Sequence, residues 1–298
     1  MKTRSRLGVY GLGVVAAFGV AAALGSGVGP INVGASSGHA AMSTDSSTAA
    51  EVGLSGLSVA ADGYRLVSPI STVEAGRSST FTFQIERADG SVVTEYDLLH
   101  ERRMHLIVLS RNLVDYLHLH PLLDAHGTWT VELPALNPGS YRVYADFQPH
   151  GADQVTLATD VSVPGLTEPI EVPPVSPDVE VDGLRVSLSG MPAVGESALT
   201  FDVTRDGIPV VTEPYLGAAG HLVVIRQGDL GYLHVHPMDG QAGAVRFIAE
   251  FPTPGRYRLF FDFSVGGTVH TASFTIDVMQ SNSPTTSPSM SHDSASAS

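Results

Sequence analysis

The sequence predicts an all-β protein built from two tandem immunoglobulin-like β-sandwich domains. Short runs that alternate apolar and polar residues are separated by Gly, Pro and Asp turns about every 8–12 residues, and no long helical period interrupts them. Two bodies of roughly 110 residues also resemble each other over their full length. These two observations together indicate a duplicated β-sandwich.

The duplication can be followed from one strand to the next. DGYRLV at 62–67 matches DGLRVS at 182–187, and NPGSYRVYADF at 137–147 matches TPGRYRLFFDF at 253–263. Between them, MHLIVLSRNLVDYLHLHP at 104–121 matches GHLVVIRQGDLGYLHVHP at 220–237. From His105 to Asp146 and from His221 to Asp262 the spacing is the same, 41 residues, so no gap is needed over this part of the two copies.

The remaining segments predict the organisation around the two bodies. Lys2, Arg4 and Arg6 precede an uncharged apolar run, which predicts an export signal whose cleavage stays open because the run is long for a signal peptide. The expected divisions are a signal peptide or signal anchor at 1–29, a flexible linker at 30–52, repeat 1 at 53–164, a Pro-rich linker at 165–178, repeat 2 at 179–279 and a disordered Ser/Thr/Pro tail at 280–298. We therefore expect an extracytoplasmic protein that touches a membrane only through its N-terminal segment.

Charge and cysteine content exclude several classes of partner and site. The formal net charge is −14 at pH 7, which repels phosphate backbones and argues against a nucleic acid partner. The sequence has no cysteine, so disulfides, thiolate zinc sites and type 1 copper sites are excluded. Any metal ion must be bound mainly by nitrogen and oxygen ligands.

A tyrosine after a Pro-Gly corner identifies one strand of each repeat. The PG-x-Y-R pattern resembles the tyrosine corner at the start of strand F of immunoglobulin-like sandwiches. With a two-residue period, Tyr141, Val143 and Phe147 then face the core, whereas Tyr144 and Asp146 face outward. We predict the same arrangement in repeat 2.

The histidine phrase of repeat 2 predicts a β-hairpin. Gly228-Asp229 separates two strand-like runs and is a typical two-residue hairpin loop. This centre puts His221 opposite His236, with His234 two residues along on the same face. Opposed side chains have Cβ atoms about 4.5–5.5 Å apart, so the three imidazoles would lie within chelating distance.

Repeat 1 follows the same pattern with a different turn sequence. Asn112-Leu113 lies at the equivalent centre, and leucine disfavours positive φ, yet the same pairing puts His105 opposite His120. If the two strands are C and C′, strand C lies beside strand F and its outward aspartate. The predicted metal ligands are therefore His105, His118, His120 and Asp146 in repeat 1, and His221, His234, His236 and Asp262 in repeat 2.

A metal-free interpretation stays open beside this one. The histidines would then hydrogen-bond across the hairpin, and the aspartates would pair with an arginine such as Arg102 or Arg103. The remaining histidines are expected at the surface, with two of them near the F–G loop as auxiliary ligands. The surface set is His100 and His126, and the auxiliary set is His150 and His270.

Ligand chemistry narrows the expected function. Imidazole and carboxylate suit Cu(II), Zn(II), Ni(II) or Fe(II), and the Irving–Williams order favours copper, with zinc as the alternative. A site on the outer face of a sheet suits a metal buffer or chaperone that binds up to two equivalents and exchanges metal ions with another exported metal-handling protein. The alternatives are a metal-free adhesive or scaffolding protein of the cell surface and a metal-dependent redox enzyme.

The phrases RMHLIV, HLHP and PGSYRVYADF resemble modules of a group of exported bacterial proteins. The resemblance covers Arg103 to Phe147 best, and repeat 2 less closely, because RMH becomes AGH there. It implies an immunoglobulin-like or cupredoxin-like fold and a link to copper handling.

Overall fold

A computed structural model describes residues 54–233, 235–238 and 243–280. The predicted leader, the predicted flexible linker and nearly all of the predicted tail lie outside the described residues, as does His234. Among the described residues, no helix is long and apolar enough to span a membrane.

The described chain forms two modules of β-strands. In the first module the strands are β1 (Ala60–Ala61), β2 (Tyr64–Val67), β3 (Ser79–Arg87), β4 (Tyr96–Asp97), β5 (His105–Ser110), β6 (Tyr116–Leu119), β7 (Leu122–Leu123), β8 (Thr128–Leu133), β9 (Gly139–Pro149) and β10 (Val155–Val163). In the second they are β11 (Asp178–Val181), β12 (Leu184–Ser189), β13 (Gly195–Arg205), β14 (Ile208–Pro209), β15 (His221–Arg226), β16 (Tyr232–Leu233), β17 (Val235–Met238), β18 (Ala244–Phe251), β19 (Gly255–Val265) and β20 (Thr268–Val278).

Strand order confirms the immunoglobulin-like fold class. The first module has one sheet in the order β1-β2-β3-β8-β7 and a second in the order β10-β9-β5-β6, with β4 also pairing with β9. The second module repeats this with β11-β12-β13-β18-β17, to which β14 is added, and β16-β15-β19-β20. The second sheet of each module has the order G-F-C-C′, so strand C lies between C′ and F as predicted.

The tyrosine corner fixes strand F in both modules. The Tyr141 hydroxyl donates to the Asn137 carbonyl at 3.0 Å, and the Tyr257 hydroxyl donates to the Thr253 carbonyl at 2.9 Å. Both rings are fully buried, and the side chains two, four and six residues after Tyr141 join the same core. The predicted inward alternation of β9 is therefore confirmed.

The outer faces of the two G-F-C-C′ sheets pack against each other, which the sequence reasoning did not predict. A third apolar cluster lies between the modules and contains Ile107, Leu109, Leu113, Tyr144, Ala158, Val223, Ile225, Leu230, Tyr232 and Phe260. Tyr144 and Asp146, expected to face solvent, are 0% and 5% exposed. Tyr144 and Asp146 do lie on the outer face of their sheet, as predicted. They are not exposed to solvent, however, because the second module covers this face.

This packing is approximately two-fold symmetric. The Tyr116 ring of the first module stacks on the Phe260 ring of the second, with centroids 4.2 Å apart and planes 2° apart. The counterparts of these residues, Tyr232 and Tyr144, meet on the other side with centroids 5.6 Å apart. Contacts exchanged in this way define an isologous interface. The equivalent histidines His105 and His221 meet across it, with ring centroids 6.0 Å apart.

The two C–C′ hairpins have four-residue loops instead of the predicted two-residue loops. Ser110 N donates to the Asp115 carbonyl at 2.9 Å, and Arg226 N donates to the Gly231 carbonyl at 2.8 Å. The centre of each hairpin is unchanged, so the predicted strand register survives. Leu113 has φ 63° despite the expectation against positive φ at leucine. Its side chain is 2% exposed in the inter-module cluster, and this burial offsets the backbone cost.

A short segment before β1 ties the modules together. Ser55 exchanges two backbone hydrogen bonds with Tyr232 of the second module, both 3.0 Å long, and Gly56 N donates to the Thr156 carbonyl of the first at 3.1 Å. Gly56 has φ 65°, and a Cβ there would lie 2.6 Å from the Tyr144 ring. Glycine at this position therefore allows the segment to cross the interface.

Candidate metal centre

The C–C′ hairpin of the first module brings its three histidines together. Leu106 pairs with Leu119 and Ile107 pairs with His118, which confirms the predicted register and puts His120 at the position opposite His105. Nitrogen atoms of His105, His118 and His120 all lie within 4.8 Å of one another. We call these three residues the histidine trio.

The spacing of the three rings suits a shared ion. The ring centroids are 5.2 Å apart for His105 and His118, 5.1 Å for His105 and His120, and 4.9 Å for His118 and His120. With metal–nitrogen bonds of about 2.0–2.1 Å, two imidazoles at a tetrahedral angle have centroids about 5 Å apart. The trio thus has the ring separation that a common metal ion requires.

Hydrogen bonds assign the tautomers of two of these histidines. His105 Nε2 lies 2.9 Å from the Leu99 carbonyl, so this nitrogen carries the proton and donates. His118 Nδ1 lies 2.8 Å from Asp262 Oδ2 and donates for the same reason. The other two nitrogens, His105 Nδ1 and His118 Nε2, are 2.9 Å apart. In neutral rings both would present a lone pair to the other.

The third histidine adds a buried nitrogen without a partner. His120 Nε2 is buried and has no hydrogen-bond partner among the described residues. A buried polar atom without a partner costs about 1–3 kcal/mol. One nitrogen of each ring lies within 4.8 Å of the others. With His105 and His118 neutral, their facing nitrogens share no proton, and a cation held among the three rings would bind these nitrogens.

A carboxylate of the second module orients the trio. Asp262 lies opposite His221 on β19, and its Oδ2 accepts from His118 Nδ1 at 2.8 Å and from the Tyr116 hydroxyl at 3.0 Å. Its Oδ1 accepts from Thr271 Oγ1 at 2.6 Å. A carboxylate that accepts from the second nitrogen of a ligand histidine fixes that ring and raises its basicity. This contact crosses between the modules.

Asp146 does not have the place that the sequence suggested. It lies directly opposite His105 in the register of β5 and β9, as expected for strands C and F. Its carboxylate, however, accepts from Gln154 Nε2 at 2.9 and 3.0 Å and from Thr156 Oγ1 at 2.9 Å. The aspartate that contacts the histidine trio is instead Asp262, because the facing module places its F strand beside His118.

The histidines of the second module do not form an equivalent group among the described residues. The register of β15 and β16 is the predicted one, with Val224 opposite Leu233. The chain then crosses to the other sheet, where His236 pairs with Ile248 of β18 and is exposed. The prediction that His236 lies opposite His221 is therefore wrong.

His221 lies beside the histidine trio of the first module. Its ring centroid is 6.0 Å from that of His105 and 6.2 Å from that of His118. His100, expected to be a surface residue, lies beside it, with ring centroids 4.9 Å apart. Sequence reasoning missed His100 because its neighbour in the site is 121 positions away in the other module; no local spacing marks it.

Burial sets the charge of these imidazoles. Burial, with a smaller contribution from the nearby His118, lowers the pKa of His105 to about 2 and that of His120 to about 3. Burial, with a contribution from His100, lowers the pKa of His221 to about 4. These three rings are therefore neutral at pH 7, and their lone pairs are available to a metal ion.

A small cavity of about 40 Å³ adjoins the trio. It is lined from the first module by His100, His105, His118 and Asp146 and from the second by His221 and Tyr232, among others. The site is thus built jointly by both modules.

The proposed auxiliary histidines make other contacts. His150 Nδ1 lies 2.8 Å from Asp97 Oδ1 at the surface, and His270 Nδ1 lies 2.8 Å from Asp182 Oδ2. Neither ring contacts the trio. The expected role of His150 and His270 as extra ligands of this centre is therefore not supported by their position.

Comparisons with known proteins add a family. The model of a family described as "Domain of unknown function (DUF8832)" matches residues 58–165 and again residues 179–280. No curated protein matches the sequence. Similar solved structures include the Escherichia coli adhesin FdeC (14% identity, 74% of this chain and 65% of that chain, TM-score 0.24) and Yersinia pseudotuberculosis InvD (14%, 76% and 60%, TM-score 0.25).

A third similar structure is that of the surface layer protein SbsC, domains 4–9, at 13% identity and a TM-score of 0.23 over 73% of this chain and 31% of that chain. This chain spans less than two thirds of each of these three structures.

Proposed function

The chain belongs to the family described as domain of unknown function DUF8832, in two tandem copies, and we propose that the pair forms an extracytoplasmic metal-binding protein whose centre lies between the modules. The histidine trio would supply the ligands. Asp262 would orient His118 from the facing module. The proposed role is that of a metal buffer or chaperone.

The convergence of three imidazole nitrogens within 4.8 Å carries this proposal. His105 Nδ1 and His118 Nε2 face each other at 2.9 Å while their other nitrogens donate to Leu99 and Asp262. His120 Nε2 is buried beside them without a partner. Opening the 2.9 Å gap to about 3.3 Å would suffice for two nitrogens bound tetrahedrally to one ion at about 2.0–2.1 Å.

Donor chemistry and burial indicate how such an ion would be held. Neutral imidazole binds Cu(II) and Zn(II) well, and the Irving–Williams order favours copper over zinc at a nitrogen site. His105 is 4% exposed and the His118 side chain is 6% exposed. A buried centre of this kind suits retention of an ion more than rapid turnover of a substrate. Copper is therefore the proposed ion, with zinc as the alternative.

A metal-free scaffolding or adhesive role is the second candidate. His118 and Tyr116 of the first module both donate to Asp262 of the second, so these side chains join the modules without any ion. The His105–His118 contact is also the cross-hairpin contact that the metal-free interpretation predicts. The similar solved structures include an adhesin and a surface layer protein. Here the histidines would serve as polar contacts of a rigid two-module unit.

Equilibrium titration separates the two candidates. Purified full-length protein titrated with Cu(II), and separately with Zn(II), should bind one equivalent tightly at the trio. His118→Ala combined with His120→Ala should abolish that equivalent, whereas His126→Ala, an exposed histidine of the same module, should leave it intact. Wild-type protein that binds neither ion more tightly than micromolar would favour the scaffolding role.

A further inference from the structure

His100 has a fixed position at the solvent side of the histidine trio. It lies on a tight turn closed by two backbone hydrogen bonds, Leu99 N to the Arg102 carbonyl at 2.7 Å and Arg102 N to the Leu99 carbonyl at 2.9 Å. His100 itself has φ 45° and is exposed. Residues held in this backbone region are uncommon and occur often at functional sites. The same turn supplies the Leu99 carbonyl that orients His105.

His100 and His221 are spaced like the members of the trio. Their ring centroids lie 4.9 Å apart, against 4.9–5.2 Å within the trio and about 5 Å for two imidazoles on one ion. His221 Nε2 lies 3.3 Å from the Leu216 carbonyl and donates to it. Its Nδ1 has no hydrogen bond among the described residues and carries the available lone pair. The spacing of the two rings is therefore the spacing that one shared ion requires.

His100 and His221 form a continuous row of imidazole rings from the solvent to the histidine trio. The His221 centroid is 6.0 Å from that of His105 and 6.2 Å from that of His118, and the His100 centroid is 6.1 Å from that of His105. All four rings line the same small cavity. Exposure also falls inward, because His100 is exposed, His221 is 8% exposed and His105 is 4% exposed.

We propose that His100 and His221 form an outer histidine pair through which a divalent metal ion passes between solvent and the trio. This inference rests on the proposed metal-binding function. Each step is a ligand exchange in which one metal–nitrogen bond forms as another breaks, and the ion keeps its oxidation state. The outer pair would change the rates of uptake and release but not the equilibrium affinity.

Kinetics of the full-length protein with Cu(II) test this inference. His100→Asn is the chosen variant because asparagine tolerates positive φ, so the turn is preserved. We expect uptake in stopped-flow mixing and release to an excess of chelator both to slow about tenfold, equivalent to about 1.4 kcal/mol in each barrier. The dissociation constant should stay within twofold. His100→Gly, which also tolerates positive φ, should behave alike.

His126→Asn, an exposed histidine on the β7–β8 turn, is the matched control and should keep wild-type rates. Unchanged rates in His100→Asn would overturn the inference. A weaker equilibrium affinity with unchanged uptake would also overturn it, because His100 would then be a resident ligand. Wild-type protein that takes up no Cu(II) would instead overturn the proposed metal-binding function.

Discussion

At the scale of single residues, two aspartates at equivalent positions accept from different donors among the described residues. Asp262 is 2% exposed and accepts from His118 and Tyr116 of the facing module, whereas Asp146 is 5% exposed and accepts from Gln154 and Thr156 of its own. The sequence assigns both to metal sites for the same reason, since both face outward on strand F. The packing of the modules brings Asp262 against His118.

This difference makes a matched pair of substitutions informative. Asp262→Asn should weaken Cu(II) or Zn(II) binding about 10–100-fold, because His118 loses the carboxylate that fixes its tautomer. Asp146→Asn, an equally buried change at the equivalent position, should leave the affinity within about threefold even if stability falls. Competition titration against a chromophoric chelator measures both. Equal losses in the two variants would mean that the carboxylates act only through folding.

Neutral buried histidines also predict how stability depends on pH. In the unfolded chain a histidine with a pKa of about 6.5 takes up a proton as the pH falls below that value. In the folded protein the pKa values of His221, His120 and His105 are lowered to about 4, 3 and 2. The unfolded state therefore binds more protons in this window. Stability is complete above pH 6.5 and is lost as the pH falls.

The expected slope for metal-free protein is about 1.4 kcal/mol per pH unit for each of these three histidines, or about 4 kcal/mol per pH unit together, between roughly pH 6 and 4.5. Urea unfolding at several pH values measures it. His120→Gln should reduce the slope by about a third, whereas His126→Gln, at an exposed site, should keep it. A wild-type stability that does not change between pH 7 and 5 would contradict these pKa values.

At the scale of strands and turns, local sequence determined some features and tertiary packing others. The pairing of β5 with β6 follows the predicted register, because the side-chain period of two must bury Leu117 and Leu119 in the core. The predicted two-residue lengths of the C–C′ loops were wrong, because burial of Leu113 and Leu230 in the interface stabilises a four-residue turn. The pairing of β17 with β18 depends on which sheet accepts this strand, and no turn residue marks that choice.

The segment that crosses the interface before β1 permits a test with two glycines. Gly56 and Gly63 both have positive φ, 65° and 80°, but a Cβ at Gly56 would lie 2.6 Å from the Tyr144 ring and one at Gly63 would meet nothing within 4 Å. Gly63→Ala should therefore cost about 1–2 kcal/mol of backbone strain alone. Gly56→Ala should cost a further 1–3 kcal/mol or so from overpacking of the interface.

Chemical denaturation of both variants measures the difference. Equal destabilisation would show that the Tyr144 ring moves aside at no cost and that the segment does not limit the approach of the modules.

At the scale of the whole molecule, the face-to-face packing is the feature that sequence reasoning missed, although a signal was present. HLIVLS in β5 and HLVVIR in β15 are continuous apolar runs with almost every residue buried. Such runs are typical of strands that are covered on both faces. A strand with only one covered face has an alternating pattern. The continuous runs therefore indicate that Ile107 and Val223, which point away from their own sandwich, are covered by another surface. The duplicated sequence then provides that partner, because each copy carries the same apolar outer face.

This arrangement predicts that metal binding stabilises both modules as one unit. A ligand held at 100 times its dissociation constant raises the free energy of unfolding by about 2.7 kcal/mol when it binds only the folded state. The trio belongs to the first module, but Asp262 of the second fixes His118, so separation of the modules should weaken binding. Unfolding of the second module should therefore also require release of the ion.

Two spectroscopic probes can follow the modules separately. Trp129 is the only tryptophan in the sequence and lies in the core of the first module, so its fluorescence reports that module, whereas far-ultraviolet circular dichroism reports both. On addition of Cu(II) or Zn(II) the midpoints of both transitions should rise together, and His120→Ala should remove the rise from both. His236→Ala, at the exposed histidine of β17, should retain it. If only the fluorescence midpoint rises, the ion is held by the first module alone and the contact from Asp262 does not couple the two.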